Sequence, residues 1–205
     1  MLGFYNYTVI LTYIGMLAGF TGVVFAAEGN VRRAVLCLVI AGICDIFDGK
    51  IASTMVRTRA EKRFGVQIDS LSDLICFGVL PAMIVYASAD GSTLSYLFSS
   101  LYVLAALIRL AWFNVDEEER QSREGGHREI YLGMPVTCAA IIFPVWSWLS
   151  AAFQWRTEIA GPVLLLLSAA AFLTPFRIRR ANYIQFGKDG DEKSAEDAET
   201  ADRPR

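Results

Sequence analysis

Six stretches of this chain are long and apolar enough to cross a bilayer as helices: Phe4 to Ala27, Val31 to Ser53, Val66 to Ser88, Leu94 to Val115, Tyr131 to Phe153 and Ile159 to Phe176. A spanning helix needs about 20 mostly apolar residues, so runs of this length leave little room for any other architecture. The predicted fold class is an all-α integral membrane protein of six transmembrane helices. The first run is long, no basic residue precedes it and a second run follows at once, so it reads as a retained helix and not as a cleaved signal.

Basic residues set the expected orientation, because positively charged loops stay in the cytoplasm. Lys50, Arg57, Arg59, Lys62 and Arg63 follow the second run, Arg120, Arg123 and Arg128 the fourth, and Arg177, Arg179 and Arg180 the sixth. The opposite side carries only Arg32, Arg33 and Arg156. Both termini are therefore expected in the cytoplasm. Composition agrees with a membrane protein, at 54% apolar and 20% charged residues, and the net charge of −2 hides a division between basic loops and an acidic end. Residues 1–186 read as one membrane domain. Residues 187–205, rich in Asp, Glu, Lys, Ser and Ala, lack apolar periodicity and read as a disordered acidic tail. Cys37, Cys44, Cys76 and Cys138 all fall in apolar runs without a CxxC or a histidine companion, which points away from disulfides and zinc. No glycine-rich phosphate loop of the GxxxxGK type occurs.

Against this background four aspartates are costly. Asp45 and Asp48 lie at the end of the second run, Asp69 and Asp73 at the start of the third. Residues three and four apart share a helix face, so Asp45, Asp48, Gly49 and Ala52 form one stripe and Gly65, Asp69, Ser72, Asp73 and Cys76 another. Two carboxylates on each of two helices joined by a short basic loop can converge on one point. Small residues keep that point open to a close neighbour. Clustered carboxylates at a membrane boundary need cations, and an all-oxygen set favours Mg²⁺, Mn²⁺ or Ca²⁺. Divalent ions shared by carboxylates suit displacement at phosphorus. The plain structural alternative pairs the aspartates with Lys50, Arg57 and Arg59.

The stretch "DIFDGKIAS", then eleven residues, then "GVQIDSLSD" resembles the signature of the CDP-alcohol phosphatidyltransferases, DxxDGxxAR, eight residues, GxxxDxxxD. All four aspartates, both glycines and the alanine match. The family's arginine after the alanine is Ser53 here, and the intervening segment is three residues longer. Likeness extends from about Asn6, where "NYT" is similar to a first-span element, to about Arg180. The resemblance implies transfer of a phosphatidyl group from CDP-diacylglycerol to an alcohol, with release of CMP. It implies two divalent ions, Mg or Mn, held by Asp45, Asp48, Asp69 and Asp73, with Asp73 also the general base. Gly49, Ala52, Ser53 and Gly65 would border the nucleotide, with Arg57 or Arg59 reaching back where the arginine is missing. It further implies a homodimer in the cytoplasmic membrane of a bacterium, with the site facing the cytoplasm, and no nucleic-acid partner.

The signature does not choose the acceptor, which in the family can be serine, glycerol 3-phosphate, inositol phosphate or choline. "FGVQIDSLSDLICFG", "IRLAWFN" and "YLGMPV" resemble segments of the phosphatidylserine synthases in that family, with Trp112 where their second arginine stands. L-Serine is thus the expected acceptor. Arg109, well inside the fourth run, is expected to face an anion or to compensate an aspartate, and Asn114 to finish the polar lining or to cap the helix. His127, in "REGGHRE", reads as an incidental solvated residue, and Gly133 and Pro135 as shaping the start of the fifth span. "DEEER", Asp116 to Arg120, reads as a solvated loop and helix edge, and Trp146, Trp148, Trp155 and Tyr183 as interfacial belt residues. Two other classes remain open. A membrane prenyltransferase also binds pyrophosphate through aspartates, but on motifs far apart in the chain, and a divalent cation transporter would need a pathway across the membrane.

Overall fold

The computed structural model describes residues 7–52, 58–122, 130–175 and 177–179. Helix α1 (Tyr7–Ala27) turns directly into α2 (Val31–Ala52). The turn is a Schellman motif: Gly29, at φ 77°, sends its N–H to the Ala26 carbonyl, and Asn30 sends its own to Phe25. The Asn30 side chain then accepts from the Arg33 N–H and caps α2. The two helices form an antiparallel hairpin packed along glycines. A Cβ on Gly22 would lie 2.8 Å from the Cys37 Cβ, and one on Gly15 would lie 3.1 Å from the Cys44 Cβ.

A capping box starts the next helix. Thr58 N–H donates to the Glu61 carboxylate at 2.8 Å while Glu61 N–H donates to the Thr58 hydroxyl at 3.3 Å. Helix α3 (Arg59–Asp73) passes without interruption through a π-helical segment, Leu74–Val79, into α4 (Leu80–Ser88). The span expected from Val66 is therefore the inner part of a longer helix. Helix α5 (Thr93–Ser122) likewise runs past Val115, so the acidic run is helical, and Glu118 pairs with Arg63 of α3. Both partners are more than half exposed, and such a pair adds little stability.

The fifth span begins later than Tyr131. A short strand, β1 (Ile130–Leu132), comes first, then a 3₁₀ turn (Val136–Cys138) leads into α6 (Ala139–Phe153). Between them Gly133 takes φ 77°, where a Cβ would meet the Thr174 carbonyl at 3.2 Å, and Pro135 is extended. Helix α7 (Thr157–Leu173) ends at extended Thr174, the conformation favoured ahead of Pro175. Strand β2 (Arg177–Arg179) pairs antiparallel with β1, Tyr131 opposite Ile178.

Among the described residues, four helical stretches are long and apolar enough to cross a membrane: Val9–Ala27, Ala60–Ser88, Thr93–Glu119 and Val136–Phe153. Helix α7 is apolar but shorter, and α2 breaks its apolar run with Asp45, Asp48 and Lys50. The outer surface carries Leu17, Leu36, Ile141 and Leu167, each more than half exposed, as lipid contact requires. Phe77, Leu80, Ile84, Val85, Tyr102, Phe143 and Leu165 are buried in the middle. The chain is an all-α integral membrane protein. Trp148 and Trp155 are exposed as belt residues would be, but Trp146 is buried against Gly161, whose lack of a Cβ makes room for the indole. Tyr183, His127 and the acidic tail lie outside the described residues.

Gly19 tests the close packing of α1. A Cβ there would lie 2.5 Å from the Cys76 Sγ and 3.2 Å from its Cα, so Gly19→Ala requires α1 to move from the π segment. The substitution is expected to cost about 1–3 kcal/mol, read as a lower midpoint of thermal unfolding in detergent.

Candidate active site

The expected convergence of the two aspartate stripes is present. Asp45 and Asp48 of α2 and Asp69 of α3 each offer a carboxylate oxygen within 4.8 Å of the others. Asp73 lines the same cavity, together with Thr12, Cys44, Ser72 and Cys76. The cavity measures about 10 Å³, close to the volume that admits one water-sized particle. Among the described residues no Lys or Arg lines it. Two unit negative charges at such a distance repel by roughly 3 kcal/mol at an effective dielectric near 20. Three carboxylates held together therefore call for compensation, and a small, hard, oxygen-seeking cation fits both the volume and the donor set.

Local structure explains how the carboxylates are held. Asp48 is buried and its Oδ2 accepts a hydrogen bond of 2.9 Å from the Thr12 hydroxyl of α1. Ser72 reaches back to the Thr12 carbonyl at 3.5 Å, and the Cys76 thiol to the Gly15 carbonyl at 3.4 Å. Helix α1 thus contributes a polar support to a cluster whose acids all come from α2 and α3. Sequence reasoning missed Thr12. The available signal was a hydroxyl in the otherwise apolar run "VILTYIG".

The residues expected around a nucleotide are distributed as follows. Gly49 is exposed, and among the described residues an added Cβ would have nothing within 4 Å, so none of them closes the space beside Asp48. Gly65 is half-buried on α3, one turn before Asp69, and Ala52 is the last residue of α2. Ser53 and Arg57 lie outside the described residues.

Asn114 and Arg109, expected to share a polar lining, sit in different surroundings. The Asn114 Oδ1 accepts from the Ser70 hydroxyl at 2.8 Å, which ties α5 to α3 beside Asp69. Arg109 donates from Nε to the Met134 carbonyl at 3.3 Å and from Nη2 to the Gly133 carbonyl at 3.5 Å. Its groove, about 280 Å³, is bordered by Ile108, Trp112 and the end of α7 from Phe172 to Pro175, and none of the aspartates lines it.

A helical membrane protein with an oxygen-ligand cluster where two adjoining helices face each other is the class defined by this geometry. Residues 5–173 match the model of the CDP-alcohol phosphatidyltransferase family, and the chain belongs to that family. It is 33% identical over 132 residues to the CDP-diacylglycerol–serine O-phosphatidyltransferase of Mycobacterium leprae, covering 64% of this chain and 43% of the relative. It is 34% identical over 143 residues to the yeast protein of the same name, from Saccharomyces cerevisiae, covering 63% and 51%. With the archaetidylserine synthase of Methanothermobacter thermautotrophicus it shares 31% identity over 166 residues, 78% of this chain and 66% of the relative. The chain thus spans under half the length of the mycobacterial relative that it matches.

Thr12→Val removes the donor to Asp48 while keeping the shape of the side chain. It is expected to weaken Mn²⁺ binding about 10-fold or more, the usual effect of losing a hydrogen bond behind a metal ligand. Equilibrium binding followed by Mn²⁺ electron paramagnetic resonance measures this. Thr21→Val, which deletes a hydroxyl bonded only within α1, is expected to leave the binding curve in place.

Proposed function

We propose that the protein transfers a phosphatidyl group from CDP-diacylglycerol to the hydroxyl of L-serine, giving phosphatidylserine and CMP. The carrying observation is the convergence of Asp45, Asp48 and Asp69, each pair spaced along its helix as in the family's signature, around an ion-sized cavity that no basic residue lines among the described residues. The names of the relatives support serine over glycerol 3-phosphate or inositol phosphate as acceptor.

In this reading Asp45, Asp48, Asp69 and Asp73 would hold the divalent ions, Mg²⁺ or Mn²⁺, whose number, two, rests on family likeness and not on the size of the cavity. Bound there, the ions would neutralise the pyrophosphate and stabilise the CMP that departs. Asp73 accepts the proton of the serine hydroxyl as its oxygen forms the new bond to the phosphatidyl phosphorus and the pyrophosphate P–O bond breaks. Thr12 fixes the Asp48 carboxylate so that no reorganisation is needed during the reaction. Open space at Gly49 receives the cytidine diphosphate, bordered by Ala52, Ser53 and Gly65, with Arg57 as a phosphate contact. Asn114, bonded to Ser70 beside Asp69, borders the acceptor. Arg109 binds an anionic group, the serine carboxylate or a lipid phosphate, at the neighbouring groove.

The same reading carries the membrane arrangement: six spans, residues 1–186 as the catalytic membrane domain, 187–205 as a disordered acidic tail, and both termini and the site on the cytoplasmic face of a bacterial membrane. The basic loops support that orientation. Assembly as a homodimer rests on family likeness.

The purified chain in detergent, given CDP-diacylglycerol and Mn²⁺ or Mg²⁺, is expected to release CMP when L-serine is added. Release with none of serine, glycerol 3-phosphate, inositol phosphate or choline would overturn the transferase reading, and release only with another acceptor would overturn serine. Asp73→Asn is expected to lower turnover by about 10²–10⁴ while CDP-lipid still binds. Ser53→Arg is expected to tighten the apparent affinity for CDP-lipid or leave it unchanged. A marked loss would show that the longer loop has rebuilt this part of the site.

A further inference from the structure

The π segment Leu74–Val79 begins at the residue after Asp73, and the reason for it lies further along the helix. In an α-helix the Phe77 carbonyl would accept the N–H of residue 81, but that residue is Pro81, which has none and whose ring crowds the carbonyl four residues back. Widening to i→i+5 bonding relieves the crowding, as the Leu80 N–H shows by reaching Ile75. The Phe77 carbonyl is then taken by a residue of another helix: Tyr102 of α5 donates its hydroxyl at 2.8 Å. Tyr102 is fully buried, its ring packed edge-on to Phe143 at 5.6 Å and tilted against Phe172 at 5.4 Å. A Cβ on Gly78 would lie 3.4 Å from Ala106, one turn beyond Tyr102 on α5, an ordinary contact distance, so the two helices touch at this point.

Each residue of an α-helix advances the side-chain direction by about 100°, so one extra residue in a widened turn rotates everything before it by that amount relative to everything after it. Helix α4 is fixed in the core by Leu80, Ile84 and Val85. The direction in which Asp69 and Asp73 leave α3 is therefore set by the geometry of the π segment.

We propose that Tyr102 is a positioning residue for the carboxylate cluster: by holding the Phe77 carbonyl it fixes the widened turn that aims Asp69 and Asp73 at Asp45 and Asp48. The proposal rests on the reading of those aspartates as a metal site, but not on the identity of the acceptor or on catalysis. It assigns a function to a hydroxyl that touches none of the acids.

The test compares Tyr102→Phe, which keeps the ring and removes only the hydroxyl, with Ser99→Ala. Ser99 makes the equivalent bond between the same two helices, to the Ala82 carbonyl at 3.1 Å, but beyond the π segment. Mn²⁺ affinity of the full chain in detergent is read by electron paramagnetic resonance, alongside thermal unfolding and CMP release. Tyr102→Phe is expected to weaken Mn²⁺ binding at least 5-fold, roughly the loss of one hydrogen bond, and to lower kcat with the KM for serine within about 2-fold. Ser99→Ala is expected to leave Mn²⁺ affinity and kcat unchanged. Equal Mn²⁺ affinity in Tyr102→Phe and the wild type, or an equal loss in both variants, would overturn the proposal. Mn²⁺ binding by a wild type that releases no CMP would sink the transferase reading while still deciding the function of Tyr102.

Discussion

Mutual repulsion of carboxylates around a cavity no larger than a water molecule is the constraint that the rest of the structure answers. A few such pairs amount to a sum comparable with the whole stability of a small domain. Helices that carried these acids without restraint would turn them apart toward water at the membrane edge. Instead α2 and α3 are bound from several sides: by α1 through Thr12 and the Cys76–Gly15 contact, and by α5 through Asn114 and Tyr102. None of these supports is a charged residue. They add no positive charge to the cluster, whose acidic character is what would draw a divalent cation into it.

The supports depend on close packing of backbones, and that packing depends on glycine. Gly15, Gly19 and Gly22 let α1 lie against Cys44, Cys76 and Leu80 at distances that a methyl group would prevent. In lipid, where apolar surface gains little from being hidden, small residues at interfaces are the main way helices pack closely. The order of dependence runs from glycine stripe to helix spacing, from spacing to the reach of the Thr12 hydroxyl, and from that hydroxyl to the orientation of Asp48.

The helical membrane class was legible from the length of the apolar runs, and the convergence of the acids from their i, i+3 and i+4 spacing. Both are local periodicities that a single chain displays. What escaped sequence reading was non-local or depended on special residues. Thr12 partners an aspartate 36 positions away, and nothing about either residue announces the other. The π segment follows from Pro81, but a proline early in a helix usually reads as harmless. Tyr131 was placed in a helix because Tyr, Leu, Met and Val continue the hydropathy of α6. Gly133 and Pro135 decided otherwise, and the backbone bonds they released went to a strand instead. Arg109, expected to face an anion or to compensate an aspartate, has none of the four aspartates in its groove. It lies against carbonyls at that same break, where α6 has not yet begun and its backbone acceptors are still available.

The small ladder of β1 and β2 gives the last two helices a topology of their own. Ile130 pairs with Arg179 and Leu132 with Arg177, so the chain leading into α6 is bonded to the chain leaving α7. At the other end the helices meet in the short turn around Gln154, which adopts φ 49°. The hairpin is thus a closed ring of backbone, clasped at both ends, although its continuity needs only one of them. Within the ring the two helices pack on different partners, α6 on α2 and α7 on α4 and α5. The mouth of the Arg109 groove, bordered by the end of α7, is accordingly held from the β-ladder side by hydrogen bonds between peptide groups.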